Sequence, residues 1–250
     1  MTLYEEFHSA KLLEKPLLGA HRGNSSEYPE NTIPAFESAI DLGCDLLECD
    51  IHVTRDGQLV VLHDDDLSRT TNSTGLVTDK TWAELSELDA GSWKGPQFEG
   101  VKIPLLSDVI ALARNRKVYL AIEVKNKDGR MVAELEKLVK EIYSYTMEHN
   151  VAIVSSDIAV LNRIRDIDPM LLTGLIYVGN PAGVQQILKS SRIDIFSPHF
   201  GLVTKELVDA LHIVGIRVST WPVDDLVALA WSKNAKVDAI FTNRPRYIRP

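Results

Sequence analysis

The sequence predicts an α/β protein of one domain, a closed (β/α)8 TIM barrel with a small insertion after its second strand. Three observations carry that expectation. Short apolar or alternating runs recur along the 250 residues, amphipathic helical stretches separate them, and one polar, turn-rich interval breaks the rhythm. Strand-helix alternation with eight strands in a chain of this length suits a barrel. An open doubly wound sheet has the same alternation, and periodicity alone does not distinguish the two.

The first strand is "LLGAH" (17–21), followed by a helix over "TIPAFESAIDLG" (32–43). "DLLECDIHV" (45–53) is the second strand, and "QLVVLH" (58–63) adds an extra one after a turn at Asp56-Gly57. Residues 64–104 are polar and irregular, and within them "TWAE" (81–84) is a capping-box pattern opening a short helix to about Leu88. With its leading strand this subregion spans about 58–104, and it reads as an insertion too short to hold a core of its own. Strands then follow at 118–124, 151–156, 172–178, 193–199, 217–223 and 238–243. Helices are expected at 106–115, 130–148, 157–167, 182–190, 204–214 and 224–234.

The composition, 45% hydrophobic and 25% charged, is that of a globular chain able to fold without disulfides or metal. Asp and Glu number 35 against 27 Lys and Arg, a formal charge of −8. Such a surface does not attract nucleic acid or an anionic membrane, so any phosphate must be met by a few local cations or a bound metal. Cys44 and Cys49 share one extended segment, roughly 16 Å apart at about 3.3 Å per residue, too far for a disulfide. Free thiols fit a reducing compartment. The opening residues lack the apolar core of a secretory signal, and no apolar run approaches the roughly 18 residues of a membrane span. A soluble cytoplasmic protein without stable membrane insertion is expected, its oligomeric state open and a homo-oligomer included.

Polar residues gather at the C-terminal ends of the strands, where barrel sites are built from the loops that follow. His21 and Arg22 end the first strand, directly before Gly23. Glu48 and Asp50 share parity in the second, about 7 Å apart along it, while Leu47, Cys49 and Ile51 point to the helices. Two inward carboxylates repel unless one is protonated or a cation neutralises them. Glu123 and Lys125 repeat the parity in "AIEVK". Three carboxylates with no cysteine partner favour one oxygen-seeking divalent cation, Mg2+ or Ca2+, over zinc. The bland alternative is a metal-free set of salt bridges to Arg22 and Lys125, which leaves one negative charge unmatched. His63 supplies a second imidazole, the side chain suited to moving protons near neutral pH. Arg22 and Lys125 suit phosphate oxygens, so the set reads as machinery for breaking a phosphoester in a small-molecule substrate.

These residues fall in recognisable motifs: "HRG" (21–23), "PENT" (29–32), "ECD" (48–50), "TRDGQLVVLHD" (54–64), "RTT" (69–71), "EVK" (123–125), "WPVD" (221–224) and "FTNRP" (241–245). Together, and in this order, they resemble the glycerophosphodiester phosphodiesterases of the bacterial cytoplasmic type. The resemblance runs from about residue 17 to the C-terminus. It implies a (β/α)8 barrel with an insertion after the second strand, and hydrolysis of glycerophosphodiesters to sn-glycerol 3-phosphate and an alcohol. It implies His21 and His63 as the acid/base pair and Glu48, Asp50 and Glu123 as metal ligands. Arg22 and Lys125 match the phosphate-binding cations, and Trp221 the aromatic bordering the glycerol side.

Two motifs depart from that pattern, at Pro222, Asp224 and Asn243, and Pro222 removes a backbone donor at a strand end, where that is tolerated. "WPVD" stands where many members read "WTVN", and "TNRP" replaces the commoner "TDRP". Asp224 reads as a cap for the next helix or as added charge near the mouth, and Asn243 as a conservative loop change. His8, His52, His149, His199 and His212 read as structural, and Trp82, Trp93 and Trp231 as packing. "DDD" (64–66) reads as a solvated turn, Arg69 and 70–75 as turn chemistry, and Glu30 and Asn31 as groups that orient Arg22 and cap the first helix. Two other functions compete. A lysophospholipase D would use the same residues on a longer substrate, and a non-catalytic phosphate-binding barrel would be expected to lack a histidine or carboxylate that is present here.

Overall fold

Residues of a strand alternate between two faces, and a barrel buries both, so its strands read as apolar runs that turn polar where the barrel opens. In the computed structural model, which describes residues 2–7, 15–179 and 192–248, nine strands form. They are β1 (Leu17–His21), β2 (Leu46–Val53), β3 (Leu59–Val61), β4 (Tyr119–Val124) and β5 (Val151–Ser155). β6 (Leu172–Tyr177), β7 (Ile195–Pro198), β8 (Arg217–Thr220) and β9 (Ala239–Thr242) complete the set. All but β3 pair in parallel in the cycle β1-β2-β4-β5-β6-β7-β8-β9, and β9 returns to β1. The barrel is closed, which decides against the open sheet. β3 stands outside the cycle and runs antiparallel to the end of β2, with Ile51 opposite Val61. It takes the edge that β1 leaves when it stops at His21, opposite Glu48.

The helices are α1 (Leu3–Phe7), α2 (Ile33–Asp41), α3 (Trp82–Leu85), α4 (Leu106–Arg116) and α5 (Met131–Ser144). α6 (Ile158–Ile167), α7 (Lys205–Ile213) and α8 (Leu226–Ala235) follow. The helix expected at 182–190, and His8, lie outside the described residues. Parity sorts β2 as anticipated: Leu47, Cys49 and Ile51 join the apolar layer beneath the helices. Leu46 instead meets Ala121, Ala152, Ile195 and Phe241 in the barrel interior. α1 has no counterpart in the sequence reading. The Leu3 N–H donates to the His149 carbonyl just before β5, and Leu3 and Phe7 pack on the interior residues at the N-terminal end of the barrel.

One device recurs at that end. Asp45, Asp194 and Asp238 each precede a strand, and each carboxylate accepts the N–H of Leu18, Thr173 or Val218 at 2.9, 2.8 and 2.7 Å. In all three places the aspartate N–H also donates to the carbonyl of that same residue. Three of the eight strand junctions are thus clamped alike. The stretch after β3 is not coreless: Val60, Leu62, Leu67, Val77, Leu85 and Ile103 are buried in a cluster of their own. The Thr81–Glu84 capping box forms, with Thr81 N–H donating to Glu84 at 2.8 Å, and it turns Leu85 into that cluster. Cys44 and Cys49 are buried and not joined in a disulfide.

Candidate active site

The register of three neighbouring strands assembles the site. His21 lies opposite Glu48, and Asp50 lies opposite Glu123, so one level of the barrel mouth receives side chains from β1, β2 and β4. Past β1 the chain turns sharply, with Arg22 at φ 58° and Gly23 at φ 77°. A non-glycine residue in that region is uncommon and tends to mark a functional constraint. Here the turn aims the Arg22 N–H at Glu48 Oε2, 2.8 Å away. Gly23 is required twice, since a Cβ there would sit 2.7 Å from the Ala35 backbone.

Glu48, Asp50 and Glu123 each offer an oxygen, all within 4.8 Å of one another, the one such group among the described residues. Asp50 is fully buried, held by Lys125 Nζ at 2.9 Å, Arg22 Nε at 3.3 Å and Asn31 Nδ2 at 2.7 Å. Burial alone would raise its carboxyl, yet Lys125 and Arg22 hold it well below the usual range. Lys125 also binds Glu123. Burial, then the Asp50 charge, pushes Glu123 up to about 7, and burial with the Asp50 and Glu123 charges pushes Glu48 well above the ordinary carboxylate range. The second Glu48 oxygen, Oε1, is buried without a hydrogen-bond partner. Salt bridges alone therefore account for Asp50 and Glu123 but leave a bare, buried acceptor on Glu48. Oxygen donors of this number and charge fit a hard cation, and the cluster could hold one.

Both imidazoles reach the same pocket, which is lined by His21, Arg22, Glu48, His63, Glu123, Lys125 and Trp221, with Asp50 buried behind it. Every residue singled out for phosphoester chemistry is thus gathered at one barrel mouth. His21 Nδ1 lies 2.8 Å from Asn243 Oδ1, and its ring stacks on Trp221 at a centroid distance of 6.0 Å and an angle of 22°. Burial, then the Arg22 charge, lowers His21 to about 4. His63 is lowered by burial as well, and its Nδ1 lies 2.6 Å from Asp64 Oδ1. Both rings are therefore neutral at rest, each with Nδ1 engaged.

Several supporting residues escaped the sequence reading. Asp64 is no free turn residue: its carboxyl sits at about 2, held there first by Arg69. Arg69 in turn grips Glu30 through two bonds at 2.9 and 2.7 Å, and Glu30 accepts Arg22 Nη1 at 3.0 Å. Turn chemistry thus understates Arg69, which ties the orientation of Arg22 to that of His63. Asn31 does not cap α2, whose N-cap is Thr32; at φ 58° it clamps Asp50 through both its amide groups. Asp224 does not cap α8 either, because Asp225 accepts the Ala228 N–H at 2.8 Å. Asp224 instead holds Asn243. His52 is buried, with Nε2 3.1 Å from the His63 carbonyl. His199 accepts the Gly201 N–H and packs its ring at a tilt against Phe200, a structural role. The only signal for Asn31 and Asn243 in the sequence was their place in the motifs.

A barrel mouth that sets fixed cations and two neutral imidazoles around a carboxylate cluster defines a phosphoric diester hydrolase. Residues 21–247 match the glycerophosphoryl diester phosphodiesterase family. A glycerophosphodiester phosphodiesterase of Caldanaerobacter subterraneus is 36% identical over 233 residues, covering 92% of this chain and 95% of the relative. A human lysophospholipase D is 27% identical, covering 99% and 89%. The solved structure of an Oleispira antarctica phosphodiesterase in complex with the product sn-glycerol-3-phosphate superposes with a TM-score of 0.87 at 27% identity, covering 93% and 95%. The chain belongs to the glycerophosphoryl diester phosphodiesterase family. Among the described residues no helix is long and apolar enough to cross a membrane.

Proposed function

We propose that this enzyme hydrolyses glycerophosphodiesters to sn-glycerol 3-phosphate and an alcohol, using one divalent cation, Mg2+ or Ca2+, and His21 with His63 as its proton carriers. The observation that carries the reading is two imidazoles, each engaged at Nδ1, lining one pocket with a carboxylate cluster whose Glu48 Oε1 has no partner. A cation held by Glu48, Asp50 and Glu123 would supply positive charge to the phosphate oxygens. Arg22 and Lys125 add fixed charge on the same pocket, and their own ties to Asp50 keep them in place before substrate arrives. Trp221 borders the glycerol side, beside His21.

A bound phosphodiester brings negative charge beside His63, which favours its protonation, while burial and the Arg22 charge keep His21 neutral. His21 backs onto a neutral amide, and we assign it the base that takes the proton from the nucleophile, water or the neighbouring glycerol hydroxyl. His63 backs onto the Asp64 carboxylate, which stabilises an imidazolium, and we assign it the acid that gives its proton to the leaving alcohol as the P–O bond breaks. The buried thiols of Cys44 and Cys49, not joined in a disulfide, fit a reducing, cytoplasmic setting.

The test is glycerol 3-phosphate release from choline, ethanolamine, glycerol and inositol diesters, with Mg2+ and Ca2+ compared and with EDTA. His21→Ala and His63→Ala should each abolish release while remaining folded. Full activity in either variant overturns the acid/base assignment, and undiminished activity in EDTA overturns the metal. Lysophosphatidylcholine in the same panel decides the second reading, hydrolysis of lysophospholipids, which the human relative supports.

A further inference from the structure

We infer that Asp224 is a positioning residue for His21, acting through Asn243 to fix which imidazole nitrogen carries the proton. The inference rests on the proposed proton-carrying role of His21 and adds the device that prepares it. Asp224 Oδ1 accepts the Asn243 backbone N–H at 2.7 Å and the Thr242 hydroxyl at 3.0 Å, while Oδ2 accepts the Asn243 side-chain N–H at 2.6 Å. A carboxylate only accepts, so the Asn243 amide nitrogen must face it. The amide oxygen is thereby turned the other way, to within 2.8 Å of His21 Nδ1 and 2.9 Å of the Ser25 hydroxyl. That oxygen also only accepts, so His21 carries its proton on Nδ1 and leaves the Nε2 lone pair free. The tautomer of His21 is set two residues away, by the one member of the chain that cannot donate.

The helix-cap role is filled by Asp225, so Asp224 is free for this one. Asp224 and Asn243 are also two of the three positions, Pro222 being the third, at which the motifs depart from "WTVN" and "TDRP". The structure brings Asp224 and Asn243 into contact, and between them acid and amide have changed places.

Asp224→Asn tests this. An amide at 224 can present a donor where the carboxylate only accepted, so Asn243 can flip to turn its oxygen toward that donor and offer its own N–H to His21. The imidazole would then take the opposite tautomer, with Nε2 blocked by its proton. Nitrogen-15 spectra of the imidazoles, assigned by loss of the His21 signal in His21→Ala, should show Nδ1–H in the natural protein and a shift toward Nε2–H in Asp224→Asn. The variant should lose roughly 10- to 100-fold in kcat, the range for residues supporting a site from behind, with KM within about twofold. The exchanged pair Asp224→Asn with Asn243→Asp restores an acceptor-only partner on Nδ1, and should restore both the Nδ1–H signal and most of kcat. Nε2–H in the natural protein, an unchanged tautomer and kcat in folded Asp224→Asn, or a folded exchanged pair without recovery would each overturn the inference. If Asp224→Asn does not fold, the natural protein's tautomer and the exchanged pair still decide it. Loss of activity in His21→Ala with Asp224→Asn unaffected removes this inference alone, whereas full activity in His21→Ala removes the catalytic reading beneath it.

Discussion

The carboxylate cluster makes a quantitative prediction about Glu123. Its side chain is 13% exposed, and its carboxyl is raised from the ordinary 4.5 to about 7. A raised folded value means that the folded chain holds this proton more tightly than the unfolded chain does. The associated stability is fully present below 4.5 and is lost as pH climbs through 7. At 1.36 kcal/mol per pK unit, the loss approaches about 3 kcal/mol by about pH 8. In a chain of this size, at roughly 2–4 °C per kcal/mol, that is a fall of about 10 °C in Tm. A divalent cation replaces the proton as the neutralising charge. Saturation at about 100 times Kd returns about 2.7 kcal/mol, nearly the whole loss.

The assay is denaturation of the natural protein and of Glu123→Gln at about pH 5 and about pH 8, in EDTA or in saturating Mg2+ or Ca2+. The natural protein in EDTA should weaken between the two pH values, and the cation should restore it at the higher one. Glu123→Gln should show a smaller weakening, the part that Glu48 retains, and a smaller rescue. Equal pH slopes in the two proteins, or equal rescue by cation, would refute the reasoning.

Other outcomes follow from single contacts. Asp64→Asn removes the charge behind His63 Nδ1 and should lower kcat roughly 10- to 100-fold, read by steady-state kinetics. Asn31→Ala frees one Asp50 oxygen from its 2.7 Å partner and should weaken divalent-cation affinity about tenfold or more by calorimetric titration. Gly23→Ala combines φ 77° with a Cβ 2.7 Å from Ala35, and should destabilise by more than about 1 kcal/mol in urea. Asp238→Ala strips an acceptor from the buried Val218 N–H and should cost about 1–3 kcal/mol without changing kcat.

The parts of the site legible in the sequence are those that parity and strand ends dictate. Glu48 and Asp50 differ by two positions, so any strand puts them on one face, and the same rule places Glu123 beside Lys125. The illegible parts depend on where loops travel. Arg69 meets Glu30 across 39 positions because the irregular chain after β3 folds back over the mouth. α1 was invisible because five residues carry too little periodicity to register. The aspartate clamps were invisible because each contributes a single side chain and the repeat exists only in the hydrogen bonds.

Asn243 shows why closure and site belong to one problem. It lies 222 positions from His21, and no local pattern links them. Ala20 pairs with Thr242 only because β9 comes back to β1, and the next residue along each strand is His21 and Asn243. Strand-helix rhythm leaves open whether a sheet closes, so it could not have shown that the last strand supplies the partner of the first histidine. An open sheet would have put those two strands at different places and left His21 Nδ1 to water. The proton-bearing nitrogen of His21 is thus a consequence of barrel closure, and a change that loosens the β1–β9 seam, such as filling the space of Gly19 against Phe241, should disturb the His21 tautomer as well as the stability. Gly19→Ala, whose Cβ would fall 2.3 Å from the Phe241 ring, provides that case, and a nitrogen-15 spectrum unchanged in a destabilised protein would separate the seam from the site.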